Sequence, residues 1–310
     1  KDGFKLEEIT DYLKKEETVI TNLNKSYWNI VSQEKSELNE KLQQRGKELA
    51  TWDISINYGI KTGFNDAFII NTERQKELIA KDPKNQEIIV PYLRGRDIKR
   101  FGFNHENLWL IFTRRGIDIE QYPVIQDYLD QFKERLTPRN NGEKIGRKPG
   151  PYEWYEIQDS VAYYSSFLEE KLVYAETMRI HKSDTANFPR FGYDEQGFYC
   201  DKTTFIATGK NIKFLLGVLN SKVGNYLIRE YVTKLDTGGY MMQKVFLEKI
   251  PLIEPTPGEK VTGSVEKILC LKKENPAADT SSLEAEIDRL VYELYELTEE
   301  EIEIIENSIN

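Results

Sequence analysis

The spacing of apolar and polar positions divides the chain into three textures. From residue 1 to about 50, apolar residues recur every three or four positions. Phe4, Leu6, Ile9, Leu13 and Ile20 suit one amphipathic helix. Trp28, Val31, Leu38, Leu42 and Leu49 suit a second, with a break and N-cap at Asn24 to Ser26. From Asn57 the pattern becomes short apolar strands separated by turns. NTERQKELIAKDPKNQEII reads as a helix interrupted at Pro83, and NLWLIFT (107–113) as a strand. IEQYPVIQDYLDQFKERL predicts an amphipathic helix with Val124, Tyr128, Leu129, Phe132 and Leu136 inward, followed by the basic loop TPRNNGEKIGRKPGP. KLVYAETMRI alternates as a strand does, and FPRFGYDEQGFYCDKTTFIAT predicts a hairpin turning at Asp194 to Gly197. NIKFLLGVLNSKVGNYLIREYV is helical with a joint at Asn220 and Ser221, and MMQKVFLEKIPLI reads as a strand. The end predicts two helices joined near Thr298, the first capped by Ser281 or Ser282. The fold class is α+β: a helical spacer over 1–50, a mixed strand-and-turn domain over 51–255, and a helical tail over 256–310.

Composition sharpens this. The 310 residues are 39% hydrophobic and 12% aromatic, enough for a core, and no apolar run is long enough for a membrane span. Two cysteines and two histidines are too few for a disulfide framework or a zinc cluster and fit a reducing cytoplasm. The net charge of −9 is unevenly spread. From Pro251 onward there are 5 basic and 15 acidic residues, whereas Pro91 to Gly150 holds 12 basic and 8 acidic. The acidity belongs to the tail, and the body can present a basic face. The opening KDGFKLEEIT is no signal peptide, and it lacks Met, so the chain is expected to be a fragment of something longer.

The stretch from Asn57 to Arg100 gathers glycine turns and cations. Gly59-Ile60-Lys61-Thr62-Gly63 is expected to expose backbone N–H groups that face a phosphate, although any tight turn before a strand looks similar. Arg94-Gly95-Arg96-Asp97 fits a DNA contact with fork geometry equally well as a structural turn in which Asp97 orients one arginine. Arg114 and Arg115 end a strand. The loop places Arg139, Asn141, Lys144, Arg147 and Lys148 together, mixing point charges with an amide that can read adenine. Arg179, His181 and Lys182 lie just past a strand, and Lys244 follows the glycine turn at Gly238-Gly239. Tyr240, beside those glycines, fits stacking or phosphate contact as well as a place in the core. Solvated surface charge is the plain alternative for each cation taken singly.

Catalytic motifs are missing. There is no glycine-rich strand-turn-helix for S-adenosylmethionine, no Asn/Asp-Pro-Pro-aromatic loop, no phosphate-binding loop and no serine nucleophile elbow. Asp159 followed by Glu169-Glu170-Lys171 loosely matches a Mg²⁺-nuclease pattern, in which two carboxylates hold the metal and the lysine serves the attacking water. A third reading is a protein-interaction or specificity subunit that docks partners through the acidic tail and N-terminal helices.

The succession GIKTGFNDAFII, VPYLRGRDIKRF, WYEI, EKLVYAET, FYCDKTTFI, LLGVLNSKVGNYLI, GGYMMQKVFLEKIPLI and LEAEIDRLVYELYELTEEEI resembles the TaqI-like C-terminal specificity domain, from about Trp52 to the end. That domain is the target-recognition part of adenine-specific DNA methyltransferases and type IIG restriction-modification enzymes. The resemblance implies that 51–255 recognises double-stranded DNA and that the S-adenosylmethionine domain, with Mg²⁺ if a nuclease is fused, lies N-terminal to it. It also implies that this chain has no catalysis or cofactor of its own. It does not supply base contacts, which vary with the sequence each enzyme reads.

Overall fold

A computed structural model of the chain describes residues 32–140, 142–180, 187–236 and 238–309. The first predicted helix, the break at Asn24 to Ser26, Asn141, His181 and Lys182 therefore lie outside the described residues. In chain order the elements are α1 (Gln33–Arg45), β1 (Lys47–Glu48), β2 (Ile54–Tyr58), α2 (Asn65–Phe68), β3 (Ile69–Asn71), α3 (Thr72–Lys81), β4 (Ile89–Leu93), β5 (Ile98–Lys99), β6 (Gly102–Phe103), β7 (Leu108–Ile111), α4 (Pro123–Asp130) and α5 (Lys133–Leu136). There follow β8 (Lys171–Ala175), β9 (Thr177–Met178), β10 (Gly192–Asp194), β11 (Tyr199–Cys200), β12 (Thr204–Gly209), α6 (Ile212–Asn220), α7 (Lys222–Tyr231), β13 (Tyr240–Met241), α8 (Lys244–Leu247) and β14 (Pro251–Leu252). The chain closes with α9 (Val261–Glu274), α10 (Ser281–Leu294) and α11 (Glu299–Ile309).

The central sheet runs β10-β8-β12-β2 and is antiparallel throughout, with Phe205 opposite Tyr174 and Ile206 opposite Val173. Its inner strands are buried at nearly every position because both faces are covered. Strand alternation sends Leu172, Tyr174, Phe205 and Ala207 into one core and Val173 and Ile206 into another. Tyr174 and Phe205 stack at 5.2 Å between centroids. Each such buried side chain contributes roughly 1.5–3 kcal/mol of transfer free energy.

The first core is completed by helices. α6 and α7 follow β12, joined at Ser221, whose hydroxyl accepts from Gly224 N–H and so caps α7. α9, α10 and α11 pack over them. α1, capped by Ser32, buries Leu38 and Leu42 in the same core and ties to the tail through Lys41–Glu301 at 2.6 Å. The expected spacer and tail thus share one hydrophobic core. α9 has no counterpart among the sequence-based expectations, and Thr280 rather than Ser281 or Ser282 stands at the N-cap of α10.

The second core lies beneath the sheet β11-β4-β7-β3, with α3 and α4 packed against it. The expected helix at Pro83 ends as foreseen, α3 being capped by Asn71 and stopping at Asp82. Two expectations are corrected. β10 and β11 do not form a hairpin: β10 pairs with β8 and β11 with β4, so the intervening residues step from one sheet to the other. MMQKVFLEKIPLI is not one strand, since α8 interrupts it between β13 and β14.

Candidate nucleic-acid interface

The turn after β2 is held from three sides. Gly59 N–H donates to Thr204 O and Ile60 N–H to Cys200 O, both at 2.7 Å, and Lys61 N–H donates to Asp159 Oδ2 at 2.9 Å. A Cβ on Gly59 would stand 1.8 Å from Asp201 O, so only glycine permits this approach. Gly63 has φ +82°, with Gln158 and Arg147 against it. The expected phosphate-facing N–H groups are therefore spent inside the protein at 59–61, which corrects that reading of the turn.

Arg147 binds the surrounding loops together. It is 3% exposed, and its five N–H donors meet five backbone oxygens. Nε reaches Leu136 O at 2.6 Å, Nη1 reaches Thr62 O at 2.8 Å and Glu156 O at 2.7 Å, and Nη2 reaches Trp154 O at 2.9 Å and Glu153 O at 3.2 Å. The guanidinium also lies over Tyr152, 4.6 Å from the ring centroid. Burial pulls its pKa down to about 10, so it stays a cation at neutral pH, solvated by carbonyl dipoles.

Above Arg147 opens a cleft of about 610 Å³, between the 60–65 turn, the loop at 139–148 and the turn at Asp201–Thr203. Lys61, Arg139 and Lys148, all expected from the sequence, line it together with Lys202, which was not. No ion pair or side-chain hydrogen bond engages any of these four within the described residues. Asn65 and Gln158 add amides to the lining, and Asp201 is the sole carboxylate among its described residues. Lys202 carried a signal in the run Asp201-Lys202-Thr203-Thr204. Asp201 Oδ1 accepts from Thr203 N–H at 2.9 Å, which turns the chain so that Lys202 is exposed.

The other expected residues divide into spent and free. Arg94 is spent: Nε and Nη2 grip Asp97 at 3.0 and 2.8 Å, and Nη2 also meets Glu106 at 2.5 Å. The space left by Gly95 is filled by Ala175 Cβ and Thr203 rather than kept for a ligand. Arg96 is exposed with its side chain unengaged. Arg115 donates to Gln158 O at 2.8 Å, and its Nε is buried without a partner. Arg114 lies over Tyr164 at 4.9 Å and remains exposed. Lys144 is exposed on a shallower hollow with Ile145, and Arg179 is exposed beside β9. Lys244 donates to Ile56 O at 3.0 Å and lies 3.5 Å from Glu248. For Tyr240 the core alternative holds and the DNA-contact one does not: it is 4% exposed, pairs with Met178 in register and packs on Phe188 at 5.3 Å.

The nuclease grouping is also dissolved. Asp159 is engaged by the Lys61 turn, Glu169 is exposed, and Lys171 is fully enclosed, paired with Asp194 at 2.6 Å. Among the described residues no three His, Cys, Asp or Glu side chains come together as a metal site. No described helix is long and apolar enough to cross a membrane.

With this geometry in view, comparison with known proteins is informative. The type II methyltransferase M.BstVI of Geobacillus stearothermophilus is 25% identical over 294 residues, covering 91% of this chain and 46% of the relative. The chain thus spans about half the length of that relative. Among solved structures, the type IIL restriction-modification enzyme MmeI in complex with DNA superposes with a TM-score of 0.59 at 15% identity. That alignment covers 84% of this chain and 36% of MmeI. The type IIG restriction endonuclease BpuSI gives a TM-score of 0.47 at 15% identity, over 84% of this chain and 32% of BpuSI. The model of the TaqI-like C-terminal specificity domain matches residues 90–252, just over half of the chain and including the 139–148 and 201–203 walls of the cleft. The chain belongs to the TaqI-like C-terminal specificity domain family.

Proposed function

We propose that this chain recognises the DNA target of a longer site-specific adenine DNA methyltransferase, alone or within a type IIG restriction-modification enzyme. The observation that carries the reading is the set of four unengaged cations around one cleft, three of them foreseen, in a chain of the specificity-domain family. Cations with neither ion pair nor hydrogen bond are available to phosphates, and releasing counterions there favours association. The exposed Arg96 and Arg114 extend the positive surface and offer fork geometry for base edges.

The transfer chemistry belongs to the rest of the enzyme. S-adenosylmethionine would be held by a methyltransferase part N-terminal to this chain, since these 310 residues contain neither its glycine-rich turn nor the Asn/Asp-Pro-Pro-aromatic loop. A fused nuclease would add Mg²⁺ in the same part of the parent. The partners are then duplex DNA and that methyltransferase part, and the compartment is the cytoplasm. The encoding gene is expected to carry the Asn/Asp-Pro-Pro-aromatic loop upstream of Lys1.

Direct binding tests the reading. Titrating the 310-residue chain with duplex DNA at several salt concentrations should give log K falling with log[salt] at a slope of about −3 to −4, if four cations each neutralise one phosphate. A folded protein with no affinity for duplex at low salt would overturn it.

A further inference from the structure

The cleft has a floor as well as a rim. Tyr92 lines it, yet the residue is only 2% exposed, and its hydroxyl makes no hydrogen bond within the described residues. Beside it, Asp201 uses Oδ1 for Thr203 N–H, Thr203 Oγ1 and Thr204 Oγ1, while Oδ2 accepts nothing there. The floor thus offers a hydroxyl and a carboxylate oxygen with open capacity, and the rim offers Lys61, Arg139, Lys148 and Lys202. Both atoms keep contact with solvent through the cleft, so a ligand that enters exchanges water for a direct hydrogen bond to each.

Shape decides what that ligand is. Base edges within a stacked duplex lie at the bottom of a groove, and protein elements that read them are convex. A concavity with acceptors at its base receives something that projects from the duplex. Its volume of about 610 Å³ falls in the range that encloses a small ligand.

Resting on the DNA-recognition reading above, we propose that this cleft holds one unpaired nucleotide of the bound DNA. Its phosphate would lie among the rim cations, and an amino N–H of its base would donate to Tyr92 Oη and Asp201 Oδ2. The domain then grips the duplex from outside and also retains a base that has left the stack, lowering the net cost of unpairing.

The experiment compares two duplexes, identical except that one carries a single unpaired adenine, for binding to the 310-residue chain. The bulged duplex should bind about tenfold tighter, the net value of roughly one well-made hydrogen bond. Tyr92→Phe keeps the buried ring and removes only the hydroxyl, so it should bring that ratio close to one, with circular dichroism confirming the fold. Lys202→Ala should weaken both duplexes and leave the ratio in place. Equal affinity of wild type for the two duplexes, with duplex binding intact, overturns the nucleotide cleft and spares the DNA-recognition reading. A preference that survives Tyr92→Phe overturns the assigned floor. Loss of affinity for every DNA by a folded protein overturns both.

Discussion

Lys171 Nζ lies 2.6 Å from Asp194 Oδ2, and neither side chain has exposed surface. The amine also donates to Phe167 O at 2.5 Å, and the carboxylate accepts Gln196 N–H at 2.7 Å and Phe198 N–H at 2.9 Å. This pair fixes the step at which the chain leaves β10 for β11, so it ties the central sheet to its neighbour. Removing one partner strands the other charge in a dry interior. Lys171→Ala is expected to destabilise by about 3–5 kcal/mol, and Lys171→Met combined with Asp194→Leu by clearly less than the two single changes added together. Urea titration of the three variants checks this. A Lys171→Ala protein as stable as wild type would show the pair to be solvated in solution.

Arg147 and Lys148 are adjacent in sequence and opposite in role. Arg147 is enclosed by five carbonyl oxygens, whereas Lys148 projects exposed at the cleft. Arg147→Lys preserves the charge but cannot span the fork, and leaving several buried carbonyls unpaired should cost about 2–4 kcal/mol. Cleavage of the loop at 137–150 by a protease should rise accordingly. Lys148→Ala should alter stability by less than about 0.5 kcal/mol while reducing the salt slope of DNA binding by about one. The two readouts, melting and salt titration, should separate cleanly between the neighbours.

The arginines around Gly95 separate in the same way. Arg94 grips Asp97, a residue only 3% exposed whose carboxylate also accepts Arg94 N–H at 2.8 Å. Arg94→Ala leaves that carboxylate without its cation and should destabilise by about 2–4 kcal/mol. Arg96→Ala should leave melting unchanged and weaken binding to a cognate duplex by about 1–3 kcal/mol if Arg96 reads a base. Binding unaltered in a folded Arg96→Ala protein would remove that residue from the interface.

These pairs show what was legible in the sequence. Periodicity located β8, β12, α3, the α6–α7 joint at Ser221 and the last two helices, because each rule there is local: side-chain alternation, a capping hydroxyl, a proline. α9 was missed although Val261, Val265 and Ile268 recur at helical spacing and are buried, because the prolines at 251, 255 and 257 just before it read as a boundary. The hairpin expected at Asp194 to Gly197 failed for a different reason. A turn signal cannot say whether the strands on either side pair with each other or with distant partners. Cation identity was equally visible and equally incomplete. Nothing local distinguishes Arg147 from Lys148, since the carbonyls that consume Arg147 arrive from residues 62, 136, 153, 154 and 156. Tyr92 gave no signal either, because an open hydroxyl at the bottom of a cleft is a property of the assembled walls.

The helical layer carries a titration that stability should report. Asp288 on α10 accepts Lys222 N–H at the start of α7 at 2.7 Å. Burial raises its pKa from the ordinary 3.8 to about 6, against the opposing hydrogen bond from Lys222 N–H and the charges of Lys222 and Arg100, with Glu284 adding to the rise. The folded chain therefore holds this proton more tightly than the unfolded chain between about pH 4 and 6. The stabilisation this group provides is complete below about pH 4 and is lost as pH rises to 6, so at neutral pH the ionised carboxylate is a liability. Asp288→Asn keeps an oxygen for Lys222 N–H and removes the buried charge. It should raise stability at pH 7.5 by up to about 3 kcal/mol, the most that a carboxyl raised this far can cost when ionised, and flatten the dependence between pH 4 and 6. The gain should vanish below pH 4, where wild type carries the proton already. Thermal melts of both proteins from pH 3.5 to 8 measure this directly. An Asp288→Asn variant less stable than wild type at pH 7.5 would mean that attraction to the α7 N-terminus and Arg100 outweighs the loss of hydration.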